Sequence, residues 1–273
     1  MCFGTMTAVS TLREGWQAIM GPLMVEMIIG EAEVDGDFRA TIEQEVNEYI
    51  GRSTGINTIL QMEHLVEMVR AHDLVPASQI LTARQYKEIY NERLMVPVEE
   101  RIRRLNSGEL TLEQVTVRGV RDFLQHLAYK VKMRVFSGTD QEDVQRELRL
   151  LTVAGLFVRI HGALADDDGA NKERILRDLI AAESLSGPEV MVVGDGPVEI
   201  QVAKEKNCIA LAIASNEKTG CGWNESKRKR LIEAGADVII PDFRYWRSLV
   251  KLMALGVRNF LKVDCYNLKT DYW

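Results

Sequence analysis

Close cysteine pairs are missing from this sequence. The four cysteines, Cys2, Cys208, Cys221 and Cys265, are scattered, without the close spacing that zinc ribbons and dithiol redox motifs need, and a chain of 273 residues can bury a core without covalent staples. A reduced, cytoplasmic compartment is the expectation. Long apolar runs are missing too: none approaches the roughly 20 residues needed to span a bilayer. The opening MCFGTMTAVSTLREGW has neither the basic flank nor the apolar stretch of a signal peptide. The third absence is an excess of positive charge, the formal net charge being -6. A nucleic-acid backbone or an anionic membrane selects for clustered cations, so neither is expected as a partner. The one dense basic cluster, KRKR at Lys227 to Arg230, reads as the solvated first turns of a helix. His64, His72, His126 and His161 show no ligand spacing among themselves.

What is present falls into two patterns. From Arg13 to about Leu105, apolar residues recur every three or four positions, as in Trp16, Ile19, Met20, Leu23 and again in Ile59, Met62, Leu65, Val66, Val69; this half is expected to be helical. From Val117 onward, short apolar runs (KMRVFSG, GLFVRIHGA, EVMVVGDG, CIALAIAS, ADVIIPDF) alternate with helical stretches. That alternation predicts βαβ units, a parallel sheet and right-handed crossovers. RLNSGELTLEQ, polar and glycine-containing, is the hinge between the two regions.

Ligands of open parallel sheets sit beyond the carboxyl ends of the strands. The residues there are Ser137, Gly138 and Thr139 after the first run, Asp195 and Glu199 after MVVG, Ser215 and Asn216 after AIA, and Asp242 after VII. Pro197 suits the first position of a helix after Gly196, which puts Glu199 in its first turn, where the helix dipole favours a carboxylate. Two readings of the acidic turn stand at this point. Either Asp195 and Glu199 are turn and helix-start residues, or they are hard oxygen ligands for Mg²⁺. On local sequence Lys172 reads as an exposed lysine at a helix start.

Taken in order, VFSGTDQEDV, Lys172 in NKERIL, VMVVGDGPVEI and GADVIIPDF resemble the second to fourth motifs and following strand of the haloacid dehalogenase superfamily. The branch is that of phosphatases with an inserted helical cap, similar to phosphoglycolate phosphatases. LREGWQAIMGPLMVEMI resembles the start of the cap, and STGINTILQM lies within it. The resemblance implies an α/β fold: a Rossmann-like parallel sheet with helices on both faces plus an inserted all-helical cap. Residues 1–12 and 112–262 would be the core, 13–111 the cap and 263–273 a C-terminal tail. It implies that Ser137 is the phosphate-binding hydroxyl, with Gly138 and Thr139 beside it, and that Lys172 neutralises nucleophile and transferring phosphoryl group. Asp195 would be a direct Mg²⁺ ligand and Glu199 the second acid of that motif, acting through water. Such a site spreads compensating charge around the equatorial oxygens of a phosphoryl transition state. The implied partner is a small phosphorylated metabolite, phosphosugars included. Within the cap, Ser53, Thr54, Gly55, Asn57, Thr58 and Gln61 form a polar cluster; Ser53 or Thr54 caps the following helix, or Thr54, Gly55, Thr58 and Gln61 face the cleft and select the leaving group.

The sequence departs from the family at its first motif, D-x-D-G-T. An ungapped register back from Arg13 puts Gly4 and Met6 at the two aspartate positions, and matching FGTM to the family's F-D-G-T-L puts Cys2 at the nucleophile and deletes the second acid. Neither supplies a carboxylate, so hydrolysis and Mg²⁺ binding are expected to be impaired. A stretch with Gly4 inside it also makes a poor central strand. The expectations that follow are a misassigned or truncated start of an active phosphatase, or a homologue that binds a phosphate ester or a partner without turnover.

Overall fold

The computed structural model describes residues 1–3, 8–163, 172–254 and 263–264. Among these, the strands are β1 (Cys2–Phe3), β2 (Arg134–Asp140), β3 (Arg159–Ala163), β4 (Met191–Gly194), β5 (Ile209–Ile213), β6 (Val238–Ile240) and β7 (Val263–Asp264). Helices α1 (Trp16–Ile29), α2 (Gly36–Ser53), α3 (Thr58–His72) and α4 (Ala83–Asn106) lie between β1 and β2. Then come α5 (Val120–Leu127), α6 (Gln141–Leu150), α7 (Lys172–Ala182), α8 (Pro197–Glu205), α9 (Glu225–Glu233) and α10 (Trp246–Ala254).

The strands form one parallel sheet in the order β3-β2-β1-β4-β5-β6-β7. Their side chains alternate between two apolar layers. Val135, Val193, Leu211 and Ile213 join one core with α5, α6 and α10, whereas Cys2, Phe136, Val192, Ala210 and Ala212 join a second with α7, α8 and α9. Burial on both faces is what lets β4 and β5 be apolar at every position. The α/β fold read from the alternation of runs is therefore the one observed. Cys2 and Phe3 lie between β2 and β4, in register with Arg134 and Val135 on one side and with Val192 and Val193 on the other. Gly4 and Met6 lie outside the described residues.

The helical unit is built around α1, which buries Met20, Leu23, Met24, Val25 and Ile28 against α2, α3 and α4. Each such side chain contributes about 1.5–3 kcal/mol. Two crossings tie the unit to the sheet. They pair antiparallel at Ser10 and Thr116, with Thr11 N–H donating to Val115 O and Val117 N–H to Val9 O, each at 3.0 Å. From α4, the Arg101 guanidinium donates to the carbonyls of Leu12 (2.9 Å) and Glu14 (3.0 Å), fixing the first crossing.

STGINTILQM also differs from expectation. The chain remains helical through Ser53, breaks, and restarts at Thr58. Neither Ser53 nor Thr54 caps α3, whose N-cap position is Asn57. Thr54 Oγ1 instead donates back to Ile50 O at 2.9 Å, and Gln61 donates to Ser53 Oγ at 3.2 Å. Both contacts face the end of α2 because the intervening Thr54–Asn57 loop turns down onto the sheet.

Candidate active site

Strand order reverses between β1 and β4, and the site lies at the carboxyl end of this switch point. A cavity of about 100 Å³ opens there between the sheet and the helical unit. A water needs roughly 10–15 Å³ of such space, so the cavity can accept a phosphoryl group with a short stem. Its floor is Ser137, Gly138 and Thr139 from β2, with Lys172 and Asp195; its roof is Thr54, Gly55, Thr58 and Gln61. These sequence-predicted positions are thus brought together around one space. Ser215 and Asp242, at the ends of β5 and β6, are buried outside its lining.

Two glycines allow the close approach of roof to floor. A β-carbon on Gly138 would fall 2.6 Å from Ile56 O, and one on Gly55 would fall 2.5 Å from both carboxylate oxygens of Glu199. Gly55 also has φ +103, a conformation that side chains rarely adopt. The roof loop therefore seals Glu199, which is wholly buried, and keeps it out of the cavity lining.

Lysines hold both predicted acids. Lys172, the first residue of α7, is buried and donates to Glu199 Oε1. Burial pushes the Glu199 carboxyl up to about 7 despite that cation, and its Oε2 is buried without a hydrogen-bond partner. Asp195 accepts at Oδ2 from Lys227 Nζ at 2.9 Å, and the same ammonium reaches Glu217 Oε1 at 2.7 Å. Burial acts to lower the Lys227 pKa, but the two carboxylates override it and raise it. Lys227 is only 3% exposed, which corrects the reading of KRKR as a solvated face. The missed signal was phase: Lys227 and Leu231 are one turn apart, and both are buried on α9.

Further lining residues went unread in the sequence. Arg13 ion-pairs with Asp143 at 2.9 Å and with Glu147 in α6, and Asp140 meets Lys87 of α4 at 2.5 Å. Trp16 and Tyr90 supply an aromatic wall. Cys2 is elsewhere: it packs in the second apolar layer, 1% exposed, and burial raises its thiol pKa. A neutral, enclosed thiol is not a nucleophile.

This arrangement, acids and a lysine at the switch point of a parallel sheet beneath a helical roof, defines a phosphatase-like α/β protein. The haloacid dehalogenase-like hydrolase family model matches residues 46–213, more than half of the chain, and the chain belongs to that family. Solved structures share the fold. A predicted phosphoglycolate phosphatase from Haemophilus somnus is 15% identical at TM-score 0.55, covering 89% of this chain and 93% of that one. A haloacid dehalogenase-like protein of unknown function from Agrobacterium tumefaciens gives 18% and 0.56 over 93% and 97%, and a beta-phosphoglucomutase from Clostridium difficile 12% and 0.55 over 93% and 97%. No match was found among curated proteins. No helix among the described residues is long and apolar enough to cross a membrane.

Phosphatases of this family generally use Mg²⁺. The donors here do not fit that ion. Mg²⁺ demands several oxygen ligands in octahedral geometry, whereas Asp195 and Glu199 are each closed by a lysine, and among the described residues no group of three carboxylate, imidazole or thiol side chains is placed to hold a metal.

Proposed function

We propose that this chain binds a small phosphate ester in the cavity, with residues 13–111 acting as a cap over the core of residues 1–12 and 112–262, and that its capacity for phosphoryl transfer is impaired. The observation that carries this reading is the state of the carboxylates in the lining. Asp195, Asp140 and Asp143 are tied to Lys227, Lys87 and Arg13 respectively, which leaves none of the three poised as an attacking base or nucleophile. Binding is a lesser demand. Ser137 Oγ and the Lys172 ammonium are donors suited to phosphoryl oxygens, and Thr54, Thr58 and Gln61 would contact the ester's alcohol. Lys172 reaches the ligand by leaving Glu199, whose carboxyl, with a pKa of about 7, is readily protonated near neutral pH and so gives up the ammonium.

Isothermal titration with inorganic phosphate and glycerol phosphate tests the binding, and release of nitrophenol from an aryl phosphate tests the chemistry. Saturable binding lost in Lys172→Ala, with turnover no faster than that of Asp195→Asn, is the expected result. Absence of binding refutes the ligand class; turnover well above the Asp195→Asn control refutes the impairment.

A further inference from the structure

We propose that the Lys227 ammonium is a built-in replacement for a divalent cation at Asp195, so that the wild-type site takes no metal there and loss of Lys227 opens it to one. Asp195 directly follows strand β4, is 2% exposed, and lines the cavity. A carboxylate in that position needs a compensating cation, because a buried unpaired charge is too costly to retain. In many enzymes a bound ion supplies the compensation by bridging carboxylates from separate segments. Here one ammonium does so, spanning Asp195 Oδ2 at 2.9 Å and Glu217 Oε1 at 2.7 Å.

The lysine is fixed where a cation would sit. Its helix, α9, begins at a true cap: Asn224 accepts the Lys227 backbone N–H at 3.0 Å. Leu231, one turn on, is anchored in the second apolar layer. The side chain is thus delivered from a rigid first turn rather than from a mobile surface. A divalent ion entering beside it would meet a like charge within a few ångströms of the same oxygens.

The inference is independent of phosphate binding, since its readout is metal occupancy. Mn²⁺ titration of the full chain, followed by the electron paramagnetic resonance of the free ion, should show no saturable binding by wild type below millimolar concentrations. Lys227→Gln and Lys227→Ala should each gain at least an order of magnitude in affinity, and a second substitution, Asp195→Asn, should remove the gain. If a Lys227 variant is unfolded alone, Mn²⁺ should restore a cooperative melt. Wild-type binding that Asp195→Asn abolishes would overturn the proposal. So would folded variants without the gain, or unfolded variants that Mn²⁺ fails to rescue.

Discussion

Replacing Glu199 by glutamine should flatten the pH dependence of stability. In the folded chain the Glu199 carboxyl titrates near 7 rather than at its ordinary 4.5, chiefly because burial penalises its charged form. A folded pKa above the unfolded one means that the group's favourable contribution is complete below about 4.5 and lost as pH rises through about 7. The difference between the two values corresponds to roughly 3 kcal/mol, of which roughly 2–3 kcal/mol falls between about pH 5 and about pH 8. Glutamine keeps the shape and an acceptor for Lys172 but does not titrate. Urea unfolding followed by tryptophan fluorescence at these two pH values, in wild type and Glu199→Gln, isolates the effect. The constant cost of the substitution cancels, as does the buried Glu147, whose carboxyl is also raised by burial and is present in both proteins. Wild type should lose about 2–3 kcal/mol more than the variant on going to the higher pH, on the order of 5–10 °C in melting temperature for a chain of this size. Parallel pH profiles for the two proteins would show that Glu199 is not enclosed as described.

Gly55→Ala should destabilise the chain by more than about 1 kcal/mol, because φ +103 and the Glu199 oxygens leave no room for a β-carbon; a thermal melt measures it. Arg13→Met leaves Glu147 buried without its cation and should cost about 3–5 kcal/mol in denaturant unfolding, with Glu147→Leu in the same chain recovering much of the loss. The more exposed pair Glu99–Arg146, between α4 and α6, should be worth less than about 1 kcal/mol and fade with added salt, as a double-mutant cycle at two ionic strengths would reveal. Cys2 should resist alkylation in the native chain while partly exposed Cys221 reacts; peptide mass mapping after a short iodoacetamide pulse distinguishes them, and equal labelling would contradict the packing of β1.

The fold was legible because strands β4, β5 and β6 are nearly pure apolar runs and the helices between them are not. A sheet buried on both faces imposes that contrast directly on the sequence, which is why Met191–Gly194 and Ile209–Ile213 could be read as strands from apolar runs alternating with helical patterns. Ser137 and Asp195 were legible as residues directly after apolar runs, whereas Lys172 was legible only through the family's motif order and Thr54, Gly55, Thr58 and Gln61 only as one of two readings of a polar cluster. Residues that reach the site across the fold left weaker traces. Arg13 lies in a crossing segment, and its role depends on Asp143 and Glu147, which are 130 and 134 positions away. Tyr90 is four positions from Tyr86 and from Leu94 on α4, all three buried, so its spacing is that of a core position and gives no sign of the cavity.

Lys227 is the instructive case, because composition and phase gave opposite answers. Four consecutive basic residues suggest solvent, and Lys229 is indeed exposed. A helix, however, sorts side chains by angle and not by charge: a residue one turn before buried Leu231 shares its face and is carried inward with it. Once there, a lysine must find carboxylates, and both that it finds, Asp195 and Glu217, come from the switch-point side of the sheet. The acidic turn after β4 and the basic run of α9 are therefore two halves of one compensated charge system. Its enclosure explains why the acids of this site are closed by side chains already present in the chain.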